Sequence, residues 1–430
     1  MDLLELVLSR DLIWTIAGAI LGFALSETVR AVRTWKQKRR AARTRSHNEK
    51  QRIKALEQVQ SYSESSLNIL TLSTDSAPFE PRNVSVQEHK APFYLAIPEP
   101  YLDQLRSRMR DFNRAFSVNN TQIFGSANGL DTLVQWTGIQ DIDALIEECR
   151  HEVAVSFLQQ SDGNYFNQDK YGVWSVDLMR RYGPDEARGL HIVTFRTDYF
   201  THKTMTAVYH RLLEREHSLP HVSREAVLQK TRRFRPFLTS LGVNAYIILD
   251  DLTEPSKSDD VSSSDPLQYI VFAKRSALAS RSSFSGMYHV SMNEGFSDTD
   301  RDPIQREPDL YACLDRGLSE ELGLPPGVIS DSVQKKFFDV FVGLDNLEIG
   351  ISCTVRISEL SFERLQRYAQ LARDRGLEIE NIKCVPFREA ELSQFLNENQ
   401  LTPPAEYILL RLATKSGMFL STENRWRIIQ

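Results

Sequence analysis

The stretch "DRGLSEELGL", Asp315–Leu324, ends a segment whose apolar residues recur at the spacing of an amphipathic helix. Its penultimate glycine and the two prolines that follow are typical of a helix end. Side chains three and four positions apart share a helix face. Glu320 and Glu321 are therefore expected on the same side as Gly317, which has no side chain. The stretch predicts a helix that presents two neighbouring carboxylates.

Apolar segments with the pattern of β-strands lie on both sides of this helix. "VNAYIILDDL" and "LQYIVFAKRS" precede it, with "GMYHVSMNEGF" as an extended piece between them and the helix. "FFDVFVGL" and "EIGISCTVRI" follow it, and further helices are expected at "FERLQRYAQLARDRG" and near "EAELSQFLNEN". The C-terminal half is therefore predicted to be a mixed sheet with helices.

The helix pattern R-x-L-x-E-E-x-G-L, set among these strands, resembles the second half of the Nudix signature, G-x5-E-x7-R-E-U-x-E-E-x-G-U, where U is aliphatic. The resemblance covers about Pro236–Ser416 and implies a sheet sandwiched between helices. It also implies that helix carboxylates hold Mg²⁺ or Mn²⁺ for the cleavage of a diphosphate bond. Glu320 and Glu321 are then the candidate catalytic residues, and Arg316 and Gly323 are structural members of the motif.

The first half of that signature is not matched. Counting back from Arg316 puts Pro308 at the glutamate position and Asp302 at the glycine position. Gly295 resembles the displaced glycine turn, and Gly317 stands where the family has another helix glutamate. The candidate metal ligands are Glu320, Glu321 and Glu307, with Glu294 and Glu348 as substitute carboxylates. Two of three helix carboxylates remain, so weak or absent hydrolysis is expected.

"GLHIVTFRTDYF", Gly189–Phe200, predicts a strand that ends in charged and aromatic side chains. Arg196, Asp198 and Tyr199 are candidate contacts for the phosphate, ribose and base of a ligand, and Arg275 near another strand end is a fourth. An ordinary strand-end cluster is the alternative. The nearby histidines, His202–His221, match no metal spacing and are expected to be solvated.

The N-terminal run "LIWTIAGAILGFAL" carries no charge and predicts a single membrane-spanning anchor. Its 14 residues span about 21 Å as a helix, which flanking apolar residues would lengthen. The basic run after it, Arg30–Arg45, places that side in the cytoplasm and in contact with anionic lipid. Gly18 and Gly22 form a GxxxG pair that favours self-association. An interfacial or an oligomerisation helix is the alternative.

The predicted fold class is α+β, with four regions. These are a transmembrane anchor at 1–29, a basic helical stalk at 30–64, a mixed α/β middle domain at 65–235, and a Nudix-like α/β/α sandwich at 236–430. The soluble domains are expected on the cytoplasmic side of a cell inner membrane. The 430 residues carry a net charge of -5, so no nucleic-acid partner is expected. The four cysteines are widely spaced, which favours small core residues in a reducing compartment.

Three functions follow from this organisation. The first is a homo-oligomeric sensor or effector, in bacterial signalling or defence, that binds a nucleoside-diphosphate-type ligand such as ADP-ribose or a nucleotide messenger. The second is a Mg²⁺-dependent hydrolase of nucleoside diphosphates linked to another group. The third is a partner-binding module that uses no nucleotide.

Overall fold

The structure is a computed structural model of the chain, and it describes residues 49–420 apart from internal gaps. The gaps are residues 74–76, 110–111, 127–128, 160–165, 180–187, 216–221, 229–232, 251–266, 277–283, 330–332 and 374–378. The chain divides into two compact units, Met1–Gln58 and Val59–Gln430. The architecture described below is that of the second unit.

The predicted fold class is wrong in its transmembrane element. None of the helices in the described residues is long and apolar enough to cross a membrane. The segment predicted as the anchor, residues 1–29 with Gly18 and Gly22, lies outside the described residues. The location predicted at an inner membrane depends on that same segment. The described chain is α+β, with mixed sheets and helices.

Eight strands form the main sheet of the described chain, in the order β1-β11-β12-β7-β8-β13, with β10 beside β7 and β9 beside β8. Strands β12 and β7 are parallel, and the other pairs are antiparallel. The strands in chain order are β1 (Ile69–Thr71), β2 (Val84–His89), β3 (Phe93–Tyr94), β4 (Gln122–Ile123), β5 (Asp169–Met179), β6 (Gly189–Asp198), β7 (Leu241–Asp250), β8 (Gln268–Arg275), β9 (Tyr288–His289), β10 (Met292–Gly295), β11 (Gln334–Gly343), β12 (Glu348–Ile357) and β13 (Ile379–Pro386).

The helices begin with α1, which covers residues 49–66 and so extends two residues beyond the segment predicted as a helical stalk, 30–64. The others are α2 (Glu99–Arg108), α3 (Phe112–Ala115), α4 (Gly129–Thr137), α5 (Ile142–Gln159), α6 (Tyr199–Glu214), α7 (Arg224–Leu228), α8 (Leu310–Leu322), α9 (Pro326–Ile329), α10 (Phe362–Leu371), α11 (Glu389–Glu398) and α12 (Pro403–Lys415). Short 3-10 turns occupy Pro81–Asn83 and Arg235–Phe237.

Strand β7 lies at the centre of the main sheet and is buried on both faces. Successive side chains of a strand point to opposite faces. Val243 and Ile247 therefore join one hydrophobic core, whereas Tyr246 and Ile248 join a second. The first core also contains the apolar side chains of α8 and α10, and the second contains those of α11 and α12. The main sheet is thus covered by helices on both faces.

A second sheet of three strands, β2-β6-β5, belongs to the middle of the chain. Strand β2 is parallel to β6, and β5 is antiparallel to it with a bulge between Val173 and Ser175. Apolar residues of this sheet and of α5 and α6 join the same core as β7 and α8. The start of β5 contacts the main sheet through a bridge between Lys170 and Ser297. This packing places residues of the middle region beside α8.

Candidate functional site

Helix α8 ends at the predicted glycine, and a side-chain cap defines its start. Asp309 precedes it, and its side chain accepts a hydrogen bond from the Tyr311 N–H at 2.9 Å. Gly323 ends it in the left-handed conformation, with φ at 65°. A Cβ at Gly323 would lie 2.3 Å from the Tyr368 carbonyl oxygen of α10. Glycine is therefore required there by backbone conformation and by close packing.

Gly317 marks the closest approach of α8 to strand β10. A Cβ at this position would lie 2.6 Å from the Met292 sulfur and 2.8 Å from the Glu294 Cβ. Contacts this short do not occur between unstrained atoms. The side chains of β10 therefore occupy the space in which the predicted third helix carboxylate would stand.

Arg316 is the centre of an ion-pair cluster at the same end of β10. Its guanidinium contacts both carboxylate oxygens of Asp300, at 2.7 and 2.9 Å, and Glu294 at 2.9 Å. It also donates to the Gly295 carbonyl at 2.8 Å and contacts Glu320 at 3.3 Å. Burial alone would lower the pKa of Arg316, but the hydrogen bonds with Asp300 and the charge of Glu294 raise it.

Asp300 is the main carboxylate partner of Arg316 in the structure. Asp300 was not predicted from the sequence. Asp300 is buried, whereas Glu307, the predicted carboxylate, is exposed on the following turn. Counting forward from Gly295 reaches Asp300 after five residues, one short of the signature's step to its glutamate. Counting back from Arg316 missed it because the chain between them is lengthened.

The two helix carboxylates proposed as catalytic have other partners in this arrangement. Glu320 contacts Arg373 at 2.6 Å in addition to Arg316. Glu321 is buried and accepts hydrogen bonds from the Asn293 N–H at 3.1 and 3.3 Å. Among the residues that the structure describes, no group of three or more His, Cys, Asp or Glu side chains is arranged to hold a metal ion. The Mg²⁺ or Mn²⁺ site implied by the resemblance does not fit these side chains as they stand.

The predicted ligand contacts of the middle region are largely engaged within the protein. Arg196 pairs with Glu88 at 2.7 Å and with Asp298 at 3.4 Å. Asp198 caps α6 by accepting from the Thr201 N–H at 2.8 Å. The structure does not bring Arg275 to either of them: it lies at the end of β8, where its backbone N–H donates to the Met287 carbonyl. Tyr199 differs from these residues in that its ring, which also packs near Phe157 and His202, lies beside two lysines.

Two ammonium groups flank the Tyr199 ring at the start of α6. The Nζ atom of Lys203 lies 5.1 Å from the ring centroid, and that of Lys170 lies 6.0 Å from it. Within the described part of the chain, neither ammonium belongs to a salt bridge. Lys170 instead donates to the Ser240 hydroxyl at 2.7 Å. We call Lys170, Tyr199, His202 and Lys203 the lysine cluster.

A short chain of hydrogen bonds holds the Lys170 side chain, which comes from β5, beside the start of β7. The Ser240 hydroxyl, which accepts from Lys170, donates to Glu348 Oε1 at 2.9 Å, and the Asn346 side chain donates to Glu348 Oε2 at 3.1 Å. Burial lowers the pKa of Lys170 to about 8, against the attraction of Glu348, and the neighbouring Lys203 lowers it further. The cluster therefore holds a buried cation that is linked to the Glu348 carboxylate through the Ser240 hydroxyl.

His202 corrects the expectation that the histidines of this region are solvated. It is buried, and its Nδ1 lies 3.0 Å from the Thr239 hydroxyl. Burial lowers the pKa of His202 well below its usual value, and the charges of Lys170 and Lys203 lower it further. The imidazole is therefore neutral at pH 7 and adds a polar, uncharged wall to the cluster.

The lysine cluster and the Arg316 cluster meet at Gly242. A Cβ on this glycine would lie 3.4 Å from the Glu294 carbonyl oxygen, 3.5 Å from Glu348 Oε1 and 3.9 Å from the Asn293 side-chain oxygen. Glu294 binds Arg316 on one side, and Glu348 is linked to Lys170 on the other. The two clusters are thus parts of one polar region beside β7 and β10.

A cavity of about 470 Å³ lies on a different face of α8. It is lined by Pro81, Tyr311, Asp315, Ser319, Pro326, Ile329, Val333 and Lys335. Asp315 and Lys335 form an ion pair at 2.5 Å along its wall. None of the residues of the two clusters lines this cavity, so it is separate from the chemistry described above.

A scan against models of known protein families gives no match for this chain, and a search among curated proteins gives none either. The reading of the site therefore depends on its own geometry. It contains two lysine ammonium groups that form no salt bridge within the described residues and lie beside an aromatic ring. It also contains carboxylates that arginines and a backbone N–H already engage. That arrangement favours the binding of an anion over metal-assisted hydrolysis.

Proposed function

We propose that this protein binds an anionic ligand of the nucleoside-diphosphate type through the lysine cluster, in a sensing rather than a turnover role. The observation that carries the proposal is the pair of ammonium groups beside Tyr199, without a salt-bridge partner in the described chain. Two neighbouring cations repel each other, and an anion placed between them relieves that repulsion. Strongly perturbed charged groups of this kind are found more often at functional sites than elsewhere in a fold.

The chemistry of the cluster matches a diphosphate attached to a flat or sugar-like group. Lysine is a flexible point charge that binds phosphate oxygens, and two lysines match two phosphate groups. The Tyr199 ring offers a stacking surface for a base or an apolar surface for a ribose. The Ser240 hydroxyl and the neutral His202 ring supply polar contacts that carry no charge. ADP-ribose is the simplest probe that contains all of these groups.

The carboxylate side of the site supports binding without cleavage. A Nudix-like hydrolase needs several free carboxylate oxygens around its metal ions. In this chain Glu320 is held by two arginines, Glu321 by a backbone N–H, and position 317 is closed by β10. These contacts support a Nudix-like frame used for recognition. A partner-binding module without a nucleotide would leave the two lysine charges unexplained.

Isothermal titration calorimetry of the full chain with ADP-ribose, ADP and AMP tests the proposal. We expect ADP-ribose and ADP to bind more tightly than AMP, since AMP offers a single phosphate. The Lys203→Ala variant should weaken binding at least tenfold, or about 1.4 kcal/mol. Lys336→Ala is the matched control, because Lys336 is an exposed lysine on β11 and should leave the affinity unchanged.

Two results would contradict the proposal. One is the lack of a binding signal with every nucleotide in the panel. The other is equal affinity in the Lys203→Ala variant and the natural chain. Chromatography of the same mixtures after incubation shows whether any bound ADP-ribose is cleaved, and rapid cleavage would refute the sensing role.

A further inference from the structure

The carboxylates at the contact between α8 and β10 form ion pairs with arginine side chains of the protein itself. We call this group the closed centre, because the arginines stand where a metal ion would bind. Three carboxylates, those of Glu294, Asp300 and Glu320, surround the Arg316 guanidinium. Arg373 adds a second guanidinium on Glu320. With Glu321, which accepts from the uncharged Asn293 N–H, four carboxylates share two guanidinium groups. Part of the charge that would attract a divalent cation is therefore already neutralised by the protein.

The geometry of this centre also excludes the coordination that Mg²⁺ requires. Mg²⁺ takes near-octahedral oxygen ligands at about 2.0–2.1 Å. Both carboxylate oxygens of Asp300 point at Arg316, and those of Glu321 accept the Asn293 N–H. Gly317 contributes no oxygen, and β10 fills the space beside it. A cation would have to displace Arg316 from the buried Asp300 carboxylate, which would leave the guanidinium without its main partner.

We infer that the chain binds its ligand without a metal ion. Lys170 and Lys203 neutralise the phosphate charge of the ligand, while Arg316 and Arg373 stay paired with the carboxylates of the centre. This rests on the proposed function for the ligand, but the closed centre is an independent property of α8 and β10. Glu320 acts here as a positioning residue that links α8 to the end of α10 through Arg373. It does not contact the ligand or a metal.

The first test uses the metal alone. Mn²⁺ is titrated into the full chain and followed by electron paramagnetic resonance, which separates free from bound Mn²⁺. We expect no saturable site at millimolar Mn²⁺. A saturable site that the Glu320→Gln variant loses would overturn the inference, whether or not any nucleotide binds.

The second test compares ADP-ribose titrations in EDTA and in Mg²⁺, for the natural chain and for Glu320→Gln. We expect dissociation constants that agree within twofold in all four titrations, together with a lower melting temperature for the variant. A tenfold gain in affinity with Mg²⁺ that Glu320→Gln abolishes would overturn the inference while leaving the proposed function intact. A lack of binding in every titration would instead remove the proposed function, and the Mn²⁺ test would still decide the state of the carboxylate centre.

Discussion

Replacing Gly317 by alanine tests the packing argument most directly. In an open helix interior this change stabilises a protein by about 1 kcal/mol, because alanine is the better helix former. Here the new Cβ would lie 2.6 Å from the Met292 sulfur and 2.8 Å from the Glu294 Cβ. The sulfur ends a flexible side chain, but the Glu294 Cβ is fixed to the backbone of β10. The helix and the strand must therefore move apart.

Overpacking of this kind costs about 1–3 kcal/mol. Set against the gain in helix propensity, Gly317→Ala is expected to lower the free energy of unfolding by up to about 2 kcal/mol. The matched control is Gly327→Ala in α9, where a Cβ meets no atom within 4 Å. That variant should be neutral or slightly stabilised. Urea denaturation of the full chain, followed by circular dichroism, measures both differences.

The Gly317→Glu variant extends the same reasoning to function. It restores the residue type that the Nudix signature has at this position, but its side chain must enter the space taken by β10. We expect a larger loss of stability than for alanine and no Mg²⁺-dependent cleavage of ADP-ribose. A Gly317→Ala protein about 1 kcal/mol more stable than the natural chain would refute the packing argument. So would metal-dependent turnover by Gly317→Glu.

Two further predictions concern charges elsewhere in the fold. The pKa of Lys170 is lowered to about 8 by burial, so between pH 8 and the unfolded value near 10.4 the unfolded chain binds more protons. Across this window the melting temperature should rise with pH, while the affinity for ADP-ribose in calorimetric titrations should fall. The Lys170→Met variant should show neither trend. The charged and titratable groups around this ammonium are Glu294, Glu348, Lys203, Tyr199 and His202. Arg411→Met removes the ion pair of the buried Asp339, which lies 2.6 Å from Arg411 Nε. The free energy of unfolding, measured by urea denaturation, should fall by about 3–5 kcal/mol. Equal stability of the variant and the natural chain would contradict that expectation.

The sequence predicted the elements around α8 well because their signals are local. Strand β12, Glu348–Ile357, has the predicted bounds, since alternating apolar residues and polar neighbours define it. Helix α8 was recognised from an apolar face and a glycine-proline end, both within one segment. Three of the four cysteines are buried and free, as expected of small core residues.

Strand β5 was not predicted, and the lysine cluster was missed with it. The bulge between Val173 and Ser175 breaks the alternation of apolar residues that identifies a strand. Lys170 was therefore not placed on any element, and its approach to Tyr199 depends on the pairing of β5 with β6. Helix α12 was also missed, because it is buried on nearly every side and shows no polar face.

Arg196 and Tyr199 show that the local sequence does not decide which polar side chain faces a ligand. Both stand in one short segment, and both were candidate ligand contacts. Arg196 meets Glu88 and Asp298, which come from distant parts of the chain, and its charge is used within the protein. Tyr199 instead lies beside two lysines, and its ring also packs near Phe157 and His202. Which residue of a polar segment faces a ligand is set by its tertiary neighbours.

Gly317 and β10 are best understood as one structural feature. If position 317 simply needed no carboxylate, alanine or serine could stand there, and either would favour the helix more than glycine does. Only glycine admits the Met292 and Glu294 side chains at the observed separation. That approach brings the Glu294 carboxylate to Arg316, which in turn holds Asp300 and Glu320. Gly317, which stands where the Nudix signature has a glutamate, is therefore also the residue whose close contact with β10 brings Glu294 to Arg316.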